Sequence, residues 1–535
     1  MKKIFLVILT ISFFAGRAQK NVLLDQAFWK ENPDVARVQS EIQKGNNPSE
    51  ANPMGFDPVV YAINAQASTD VIKSLLDQKG NDVNKITHDA RTYIFWAASR
   101  GNVEVVEYLI SKGAKMNLED SHGMTPIAFA ANGGQTNPKL YEALVKAGAD
   151  IKQKSQDGAS LLLLGIANDK DFSFTNYLIS KGLSLKDTDA AGNTAFNYVA
   201  KTGNIELMKS LIAKGVKYND KAIIMAAQGT RGSANTIEVY QYLESLHLKP
   251  TAINSNNENV LHVLARKPNQ ESIIKYFLSK GVNANQADTD GNTPFILAAS
   301  SNRDTATVAL LLSQAKNINQ VNIKGVSPLA MAVRNNSPEV VQFLIGKGAE
   351  VNAADAQGNN LAYYLIQSYN GQPANGQEGG RERSGQSPNG QAVNRQGAAE
   401  QAAKAQAPAR DGQGANRQRS DGFAAKLKIL QEAGFDVAVP QKDGNTLYHL
   451  AVAKNDLSLL KSIEDMHVDV NAKNKEGLTP LHKAAMLSKD DVILKYLLSI
   501  GAKKDITTEF KETALDLAKE NESLSKNKIT TDFLQ

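Results

Sequence analysis

Hydrophobic and polar positions form one pattern that returns along the chain about every 33 to 34 residues. Each copy opens with polar residues around a glycine and continues through Thr-Pro into an apolar run. A second apolar segment follows and ends at another glycine. Clear examples of the two halves are Asn474–Ala485 (NKEGLTPLHKAA) and Glu339–Asn352 (EVVQFLIGKGAEVN). Apolar residues at i, i+3 and i+4 are typical of helices with one buried face, so the pattern predicts an all-α chain of short helix pairs.

Each recurring residue type has a mechanical reason. Glycine stands at the turn before the first helix because it tolerates positive φ without strain. The Thr-Pro step predicts a capped helix start, in which the hydroxyl accepts a backbone N–H and the proline gives up no hydrogen bond. Paired alanines allow neighbouring helices to approach closely. The turn positions are Gly123, Gly158, Gly192, Gly291, Gly325, Gly358, Gly444 and Gly477, with Asn257 in one further copy.

This pattern resembles the ankyrin repeat, in which a β-turn tip leads into two antiparallel helices. The resemblance covers nearly all of the chain after residue 20. It implies an all-α ankyrin-repeat solenoid of about 13 to 14 helix-turn-helix repeats with a cap at both ends. The copies within 20–85 and 220–253 are degenerate, and their boundaries stay open.

The N-terminus has the pattern of a secretory signal peptide. Two lysines precede the largely apolar run Ile4–Ala15, and the small residues Gly16 and Ala18 stand at the positions that a signal peptidase requires. We therefore expect residues 1–18 to be removed by cleavage near Ala18 and the mature chain to be periplasmic or secreted. A buried first helix or a retained anchor is the alternative.

One segment interrupts the repeat. Asn360 and Thr446 hold the same place in consecutive copies, yet they stand 86 positions apart. The surplus, residues 370–422, is rich in Gly, Gln, Asn and Arg and has few large apolar side chains, so it predicts a disordered insertion. It separates the ankyrin blocks 20–369 and 423–535, and Phe423–Gly434 is predicted to be the second helix of the interrupted repeat. The insertion is either a tolerated surface loop or a flexible arm that touches a partner, the cell wall or an anionic surface.

Composition excludes several function classes. The chain has no cysteine, and its formal net charge is only +5 on 115 charged residues. The lack of cysteine excludes disulfides, thiolate metal sites and a cysteine nucleophile. The low net charge is unlike that of a nucleic-acid-binding protein. No phosphate-binding glycine loop or serine nucleophile motif appears. The sequence therefore predicts a protein that is not an enzyme and binds no cofactor or metal.

The seven histidines of the chain are candidate metal ligands. His262, His449 and His482 follow the capping residue by three positions, where the ankyrin resemblance implies a structural hydrogen bond to the neighbouring turn. His88 and His122 fall at adjacent tips and could share a ligand. Two imidazoles without a pair of carboxylates nearby are a weak metal site.

The ankyrin resemblance also implies that the tips and first helices line a concave groove whose residues select a protein partner. The predicted partner-binding residues are His88, Asp89, Arg91, Ser121, His122, Met124, Thr289, Asp290, Asn292, Ile323, Lys324, Val326, Arg334, Lys442, Asp443, Asn445, Lys475, Glu476, Leu478, Met486 and Leu487. Their mixed charge disfavours nucleic acid, and their scattered apolar members suit a protein surface. We expect protein partners, no nucleic acid, no integral membrane span and a monomeric chain.

Three biological roles fit this picture. The leading hypothesis is a protein-interaction scaffold of the cell envelope. A second is an accessory or protective factor for a periplasmic enzyme, such as a catalase-type enzyme of oxidative-stress defence, by analogy with some exported ankyrin proteins. A third is a secreted effector that acts on another cell.

Overall fold

A computed structural model describes residues 21–230, 234–369 and 412–535, and for 412–421 it describes the backbone alone. The predicted signal peptide at 1–18 and most of the predicted disordered insertion at 370–422 lie outside these residues. The described chain divides into two compact units, one up to Ala222 and one from Ile223 onward.

The α-helices of the described residues fall into fourteen consecutive pairs, and the first unit contains six of them. Its helices are α1 Gln26–Lys30, α2 Val35–Gln43, α3 Pro58–Asn64, α4 Thr69–Leu76, α5 Tyr93–Arg100, α6 Val103–Ser111, α7 Pro126–Asn132, α8 Pro138–Lys146, α9 Leu161–Gly165, α10 Ser173–Ser180, α11 Ala195–Thr202 and α12 Ile205–Ala213. Short 3-10 turns lie at Val22–Leu24, His88–Ala90 and Ile166–Asn168.

The other eight pairs begin with α13, whose first two residues precede the boundary between the units. They are α13 Lys221–Gln228, α14 Ile237–Ser245, α15 Val260–Leu264, α16 Glu271–Ser279, α17 Pro294–Ser301, α18 Thr305–Leu312, α19 Pro328–Asn335, α20 Pro338–Gly346, α21 Leu361–Ser368, α22 Gly412–Glu432, α23 Leu447–Val452, α24 Leu457–Ser462, α25 Pro480–Leu487, α26 Val492–Ser499, α27 Ala514–Glu520 and α28 Glu522–Lys526. The 3-10 turns Glu464–Met466 and Asp532–Leu534 complete this unit. The described residues contain no β-strand, and the bridge Thr188–Thr194 is isolated. The prediction of an all-α chain of helix pairs is confirmed.

The helix starts follow the predicted cap only in part. The hydroxyls of Thr293 and Ser327 accept the backbone N–H three residues on, at 3.4 and 3.2 Å. The buried hydroxyls of Thr92, Thr125 and Ser160 have no hydrogen-bond partner. The prediction that the Thr-Pro step caps its helix through the hydroxyl is therefore wrong at Thr125, and Thr92 and Ser160, which no proline follows, do not cap their helices in this way either.

The turn glycines take the predicted left-handed conformation, and the packing of successive tips shows why a side chain is excluded there. Gly325 has φ of 72°, and a Cβ atom at this residue would lie 2.5 Å from the amide nitrogen of Ala356 in the next tip. Asn257 takes the same conformation, with φ of 61°, because asparagine tolerates it better than most side chains. The turn therefore needs a residue that accepts positive φ at this place.

Asparagine side chains join the ends of consecutive first helices in the second unit. Asn302 Nδ2 donates to the carbonyls of Ala265 and Lys267 at 3.0 and 2.8 Å, and Asn336 Nδ2 donates in the same way to Ala299 and Asn302 at 2.9 Å. These bonds satisfy carbonyl groups that a helix end otherwise leaves without a partner.

In the interrupted repeat, a different side chain donates to the carbonyl at the end of the preceding first helix. Helix α22 packs beside α21, as predicted, although it begins at Gly412, before the boundary at 423 that composition suggested. Lys426 on α22 is buried, and its Nζ donates to the Val333 carbonyl at the end of α19 at 2.8 Å. Burial lowers the pKa of Lys426 to about 8. A lysine of the second helix thus replaces the asparagine that serves uninterrupted repeats.

Candidate protein-binding surface

The predicted partner-binding residues differ widely in exposure. Exposed are Ser121, His122, Thr289, Asp290, Ile323, Lys324, Arg334, Lys442, Asp443, Lys475, Glu476, Met486 and Leu487. Half-buried are His88, Asp89, Met124, Asn445 and Leu478. Arg91, Asn292 and Val326 are buried. These last three present little surface to a partner, because the position just before the helix cap points into the packed base of the tip.

Backbone hydrogen bonds hold successive tips in register. Ser121 N–H donates to the Asp89 carbonyl at 2.9 Å in the first unit. In the second unit Ile323 N–H donates to Asp290 at 3.1 Å, and Lys475 N–H donates to Asp443 at 2.9 Å. The structure thereby brings the predicted residues together in three groups, one around 88–124, one around 289–326 and one around 442–478. Arg334, Met486 and Leu487 lie at the far ends of α19 and α25.

The first group contains a charged network, which we call the N-terminal tip cluster: His88, Asp89, Arg91, Asp120 and His122. Arg91 donates to Asp120 Oδ2 through Nε at 2.8 Å, and its Nη1 lies 3.1 Å from Asp89 Oδ2. The Asp120 side chain is fully buried. The negative charge of Asp120 is therefore balanced by the Arg91 guanidinium, which also contacts Asp89 of its own tip.

Aromatic rings lie beneath this cluster. The Arg91 guanidinium stands 5.3 Å from the Trp96 ring centroid and 4.2 Å from that of Phe129. Both rings belong to the position four residues after the helix cap, which Tyr61 and Tyr198 occupy in other repeats of the first unit. Sequence reasoning missed this aromatic row, although its fixed offset from the cap could have revealed it.

Within each of the two groups of the second unit, neutral amide side chains join the neighbouring tips instead. Asn322 Nδ2 donates to Asn292 Oδ1 at 3.0 Å, and Asn474 Nδ2 donates to Asn445 Oδ1 at 3.0 Å. Asn292 is thus a positioning residue of the tips. Beside it, Ile323 is 67% exposed, which makes it the largest apolar contact that this group offers.

Sequence reasoning also missed Phe510, which lies on the last tip and is 83% exposed. The sequence carried a signal for it, since residues 509–511 occupy the tip positions of the last copy. In the first unit Met54, on the tip before His88, is 62% exposed. Both side chains extend the apolar part of the tip surface beyond the predicted residues.

The three histidines assigned to structural roles all cap helices, but the predicted hydrogen bond to the neighbouring turn forms at His449, whereas Nε2 of His262 and of His482 has no hydrogen-bond partner. His449 Nδ1 lies 3.1 Å from the Thr446 amide nitrogen and 2.8 Å from its hydroxyl, while Nε2 lies 2.8 Å from the Leu478 carbonyl of the next tip. His262 and His482 form the same capping box with Asn259 and Thr479. Burial lowers the pKa of His449 to about 4 and also lowers the pKa values of His262 and His482. These rings cap helices in the uncharged form.

The second helices carry a different inter-repeat contact that the sequence did not suggest. Tyr276 donates its hydroxyl to Glu244 of the preceding repeat at 2.5 Å, and Lys280 reaches the same carboxylate at 2.9 Å. Tyr108 and Lys112 share Asp77 in the same arrangement. Glu244 and Asp77 are thus each engaged by a tyrosine and a lysine of the following repeat.

Other kinds of site find no support in the described part of the chain. There, no group of three or more histidine, aspartate or glutamate side chains is arranged to hold a metal ion. No helix in the same residues has the length and apolar character needed to cross a membrane.

A family model for ankyrin repeats matches three stretches, residues 59–155, 261–355 and 422–528. The human transient receptor potential cation channel subfamily A member 1 is 23% identical over 88% of this chain and 36% of its own length. Its Caenorhabditis elegans homolog is 25% identical over 44% of this chain and 16% of its own length. The chain therefore spans only a minor part of these relatives. A palmitoyltransferase of the yeast Lachancea kluyveri is 31% identical over 22% of this chain and 16% of its own length.

None of these matches gives positive evidence of enzymatic activity in this chain. That the chain is not an enzyme stays a prediction. The matched repeats coincide with the helix pairs and the registered tips described above. Repeats of this kind indicate a protein-interaction scaffold. This chain belongs to the ankyrin-repeat family.

Proposed function

We propose that the chain is a scaffold of the cell envelope that binds a protein partner along the face formed by its tips and first helices. One observation carries the proposal: the tips stand in a fixed backbone register, yet thirteen of the predicted residues remain exposed. A rigid frame with exposed and chemically varied side chains lowers the entropic cost of binding. Apolar side chains such as Ile323 and Phe510 supply contacts that a protein surface can bury.

The envelope location rests on the N-terminal sequence. A basic start, a short apolar run and small residues before Gln19 support export and cleavage near Ala18. N-terminal sequencing of the protein from a fractionated cell tests this. A first residue of Gln19 in the periplasmic or secreted fraction is expected, and an uncleaved chain in the cytosol would refute export.

The binding face is tested by a pair of variants within one repeat. Ile323→Ser with Lys324→Ser alters an exposed tip, whereas Gln342→Ser with Lys347→Ser alters exposed residues of helix α20 and the turn after it. The mature chain would be used to capture its partner from envelope extracts, and the affinity of that partner would be measured for each variant. We expect the tip variant to weaken binding about tenfold or more and the α20 variant to leave it unchanged. Equal loss in both variants, or none in the tip variant, would refute the tip face as the binding surface.

A further inference from the structure

The N-terminal tip cluster contains a contact that is repulsive or attractive depending on the protonation of a histidine. His88 Nδ1 lies 2.8 Å from the Met54 carbonyl oxygen. A carbonyl oxygen only accepts, so Nδ1 is the nitrogen that carries the hydrogen. In a neutral imidazole the other nitrogen, Nε2, then carries only a lone pair.

That second nitrogen faces a carboxylate. His88 Nε2 lies 3.3 Å from Asp89 Oδ2, and His122 Nε2 of the next tip lies 3.5 Å from the same oxygen. For a neutral His88 two electron-rich atoms oppose each other, whereas the imidazolium form makes an ion pair. Arg91 Nη1 at 3.1 Å already balances part of the Asp89 charge.

A neighbouring ring holds the His88 imidazole in place. Phe56 stacks on the His88 ring with centroids 4.4 Å apart. Asp89 and the following Ala90 have φ of 57° and 58°, a left-handed conformation that costs free energy for residues other than glycine. The cost is borne at the residue whose carboxylate the two imidazoles share.

We propose that the N-terminal tip cluster is a proton-responsive part of the tip surface, in which the Asp89 carboxylate ties its own tip to the next one through His88 and His122 when both imidazoles are charged. With neutral imidazoles the formal charge of the cluster is −1, from Asp89, Asp120 and Arg91. With two imidazolium rings it is +1. Acidification therefore reverses the charge that this end of the binding face presents and tightens the tips at the same time. The matching tips of the second unit are joined by asparagine amides, which do not titrate.

The test does not depend on an identified partner. Amide hydrogen exchange of the full mature chain is measured at pH 8 and pH 5, on either side of the range in which histidine changes charge, and corrected for the intrinsic exchange rates. The reporters are the amides of His88 and Ser121, which donate to Gly55 and Asp89 across the tip contacts. Ile323 and Lys475 report on the matched contacts of the second unit.

We expect the corrected protection of His88 and Ser121 to rise about two- to fivefold at pH 5, the size of a partly exposed ion pair, and the protection of Ile323 and Lys475 not to rise. Asp89→Asn should abolish the rise and leave the fold intact, because asparagine accepts the left-handed conformation. His122→Gln should reduce it, and added salt should weaken it through screening. Unchanged protection in the parent chain, or the same rise in Asp89→Asn, would overturn the proposal.

Discussion

Three histidines of the second unit lie buried at helix starts, whereas His88 and His122 of the first unit lie at the surface of the tips. The buried rings accept a backbone N–H through Nδ1, which only an uncharged imidazole can do. The surface rings face a carboxylate that an imidazolium would satisfy. Protonation would therefore break the contacts of the buried histidines at the helix starts, whereas it would strengthen the contacts of the two histidines at the tips. The position of the histidine within the repeat decides which effect applies.

The largest expected effect concerns the charged network of the first unit. Arg91→Met would leave the buried carboxylate of Asp120 without its cation, and removing one partner of a buried ion pair typically costs about 3–5 kcal/mol. The matched change in the second unit, Asn292→Leu, removes a neutral amide contact and should cost about 1 kcal/mol. Urea unfolding of both variants measures the difference. Equal losses would show that Arg91 is not the main stabiliser of its tips.

Acid should destabilise the second unit through its capping histidines. Their pKa values in the folded chain are lowered from about 6.5, to about 4 for His449. The unfolded chain therefore binds more protons in this range, so the free energy of unfolding falls as the pH drops from about 6.5 to about 4. The loss from His449 alone is on the order of 3 kcal/mol.

The control for this pH dependence is a variant that cannot titrate. His449→Gln should be less stable at pH 7, because glutamine does not reproduce both hydrogen bonds of the ring, but it should lose less stability on acidification than the parent chain. Thermal unfolding at several pH values measures both quantities. An identical pH slope in variant and parent would show that His449 does not account for acid sensitivity.

The registered tips are tested by adding a methyl group at a turn. Gly325→Ala introduces a side chain at φ of 72° and only 2.5 Å from the Ala356 nitrogen, so we expect a cost of about 2 kcal/mol. Asn257→Gly, at the same position of another copy, keeps the conformation but loses the hydrogen bond from Nδ2 to the Ala287 carbonyl, so it should cost about 1 kcal/mol, less than Gly325→Ala. Chemical unfolding of the two variants compares them. Full tolerance of Gly325→Ala would mean that the backbone register of the tips is loose.

The smallest effect is expected at the exposed surface of the first unit. His122→Gln should change stability at pH 7.5 by less than about 0.5 kcal/mol, as most surface substitutions do. This contrasts with the loss expected for His449→Gln under the same conditions. A large loss for His122→Gln, measured by thermal unfolding, would contradict the surface assignment of this ring.

The sequence predicted the parts of the structure that repeat. The turn glycines and the helix pairs follow from the repeated pattern, and the ankyrin resemblance implied structural roles for His262, His449 and His482, because each copy has the same local contacts. Contacts between copies were harder to foresee. Arg91 was expected to face a partner, but it is buried against Asp120 of the next tip, a pairing that depends on the register of two repeats rather than on either sequence segment.

The hydroxyls at the helix starts could not be predicted individually. Thr446 and Thr479 contact a histidine three residues later, whereas Thr125 is followed at that place by Ala128 and its hydroxyl is unpaired. Thr293 and Ser327 also lack the histidine, yet their hydroxyls accept a backbone N–H, so the motif alone does not decide whether the hydroxyl is bonded. Lys426 is similar, since its bond to Val333 spans the inserted segment and has no short-range signal in the sequence.

The contrast between the units is tested most directly by residue-resolved hydrogen exchange at pH 7 and pH 4.5, corrected for intrinsic rates. Helices α23 and α25, which begin at the capping boxes of His449 and His482, should lose protection at pH 4.5. Helices α5 and α7, whose caps lack a histidine, should keep theirs. Equal loss in both units, or retained protection in α23 and α25, would contradict the assignment of acid sensitivity to the buried capping histidines.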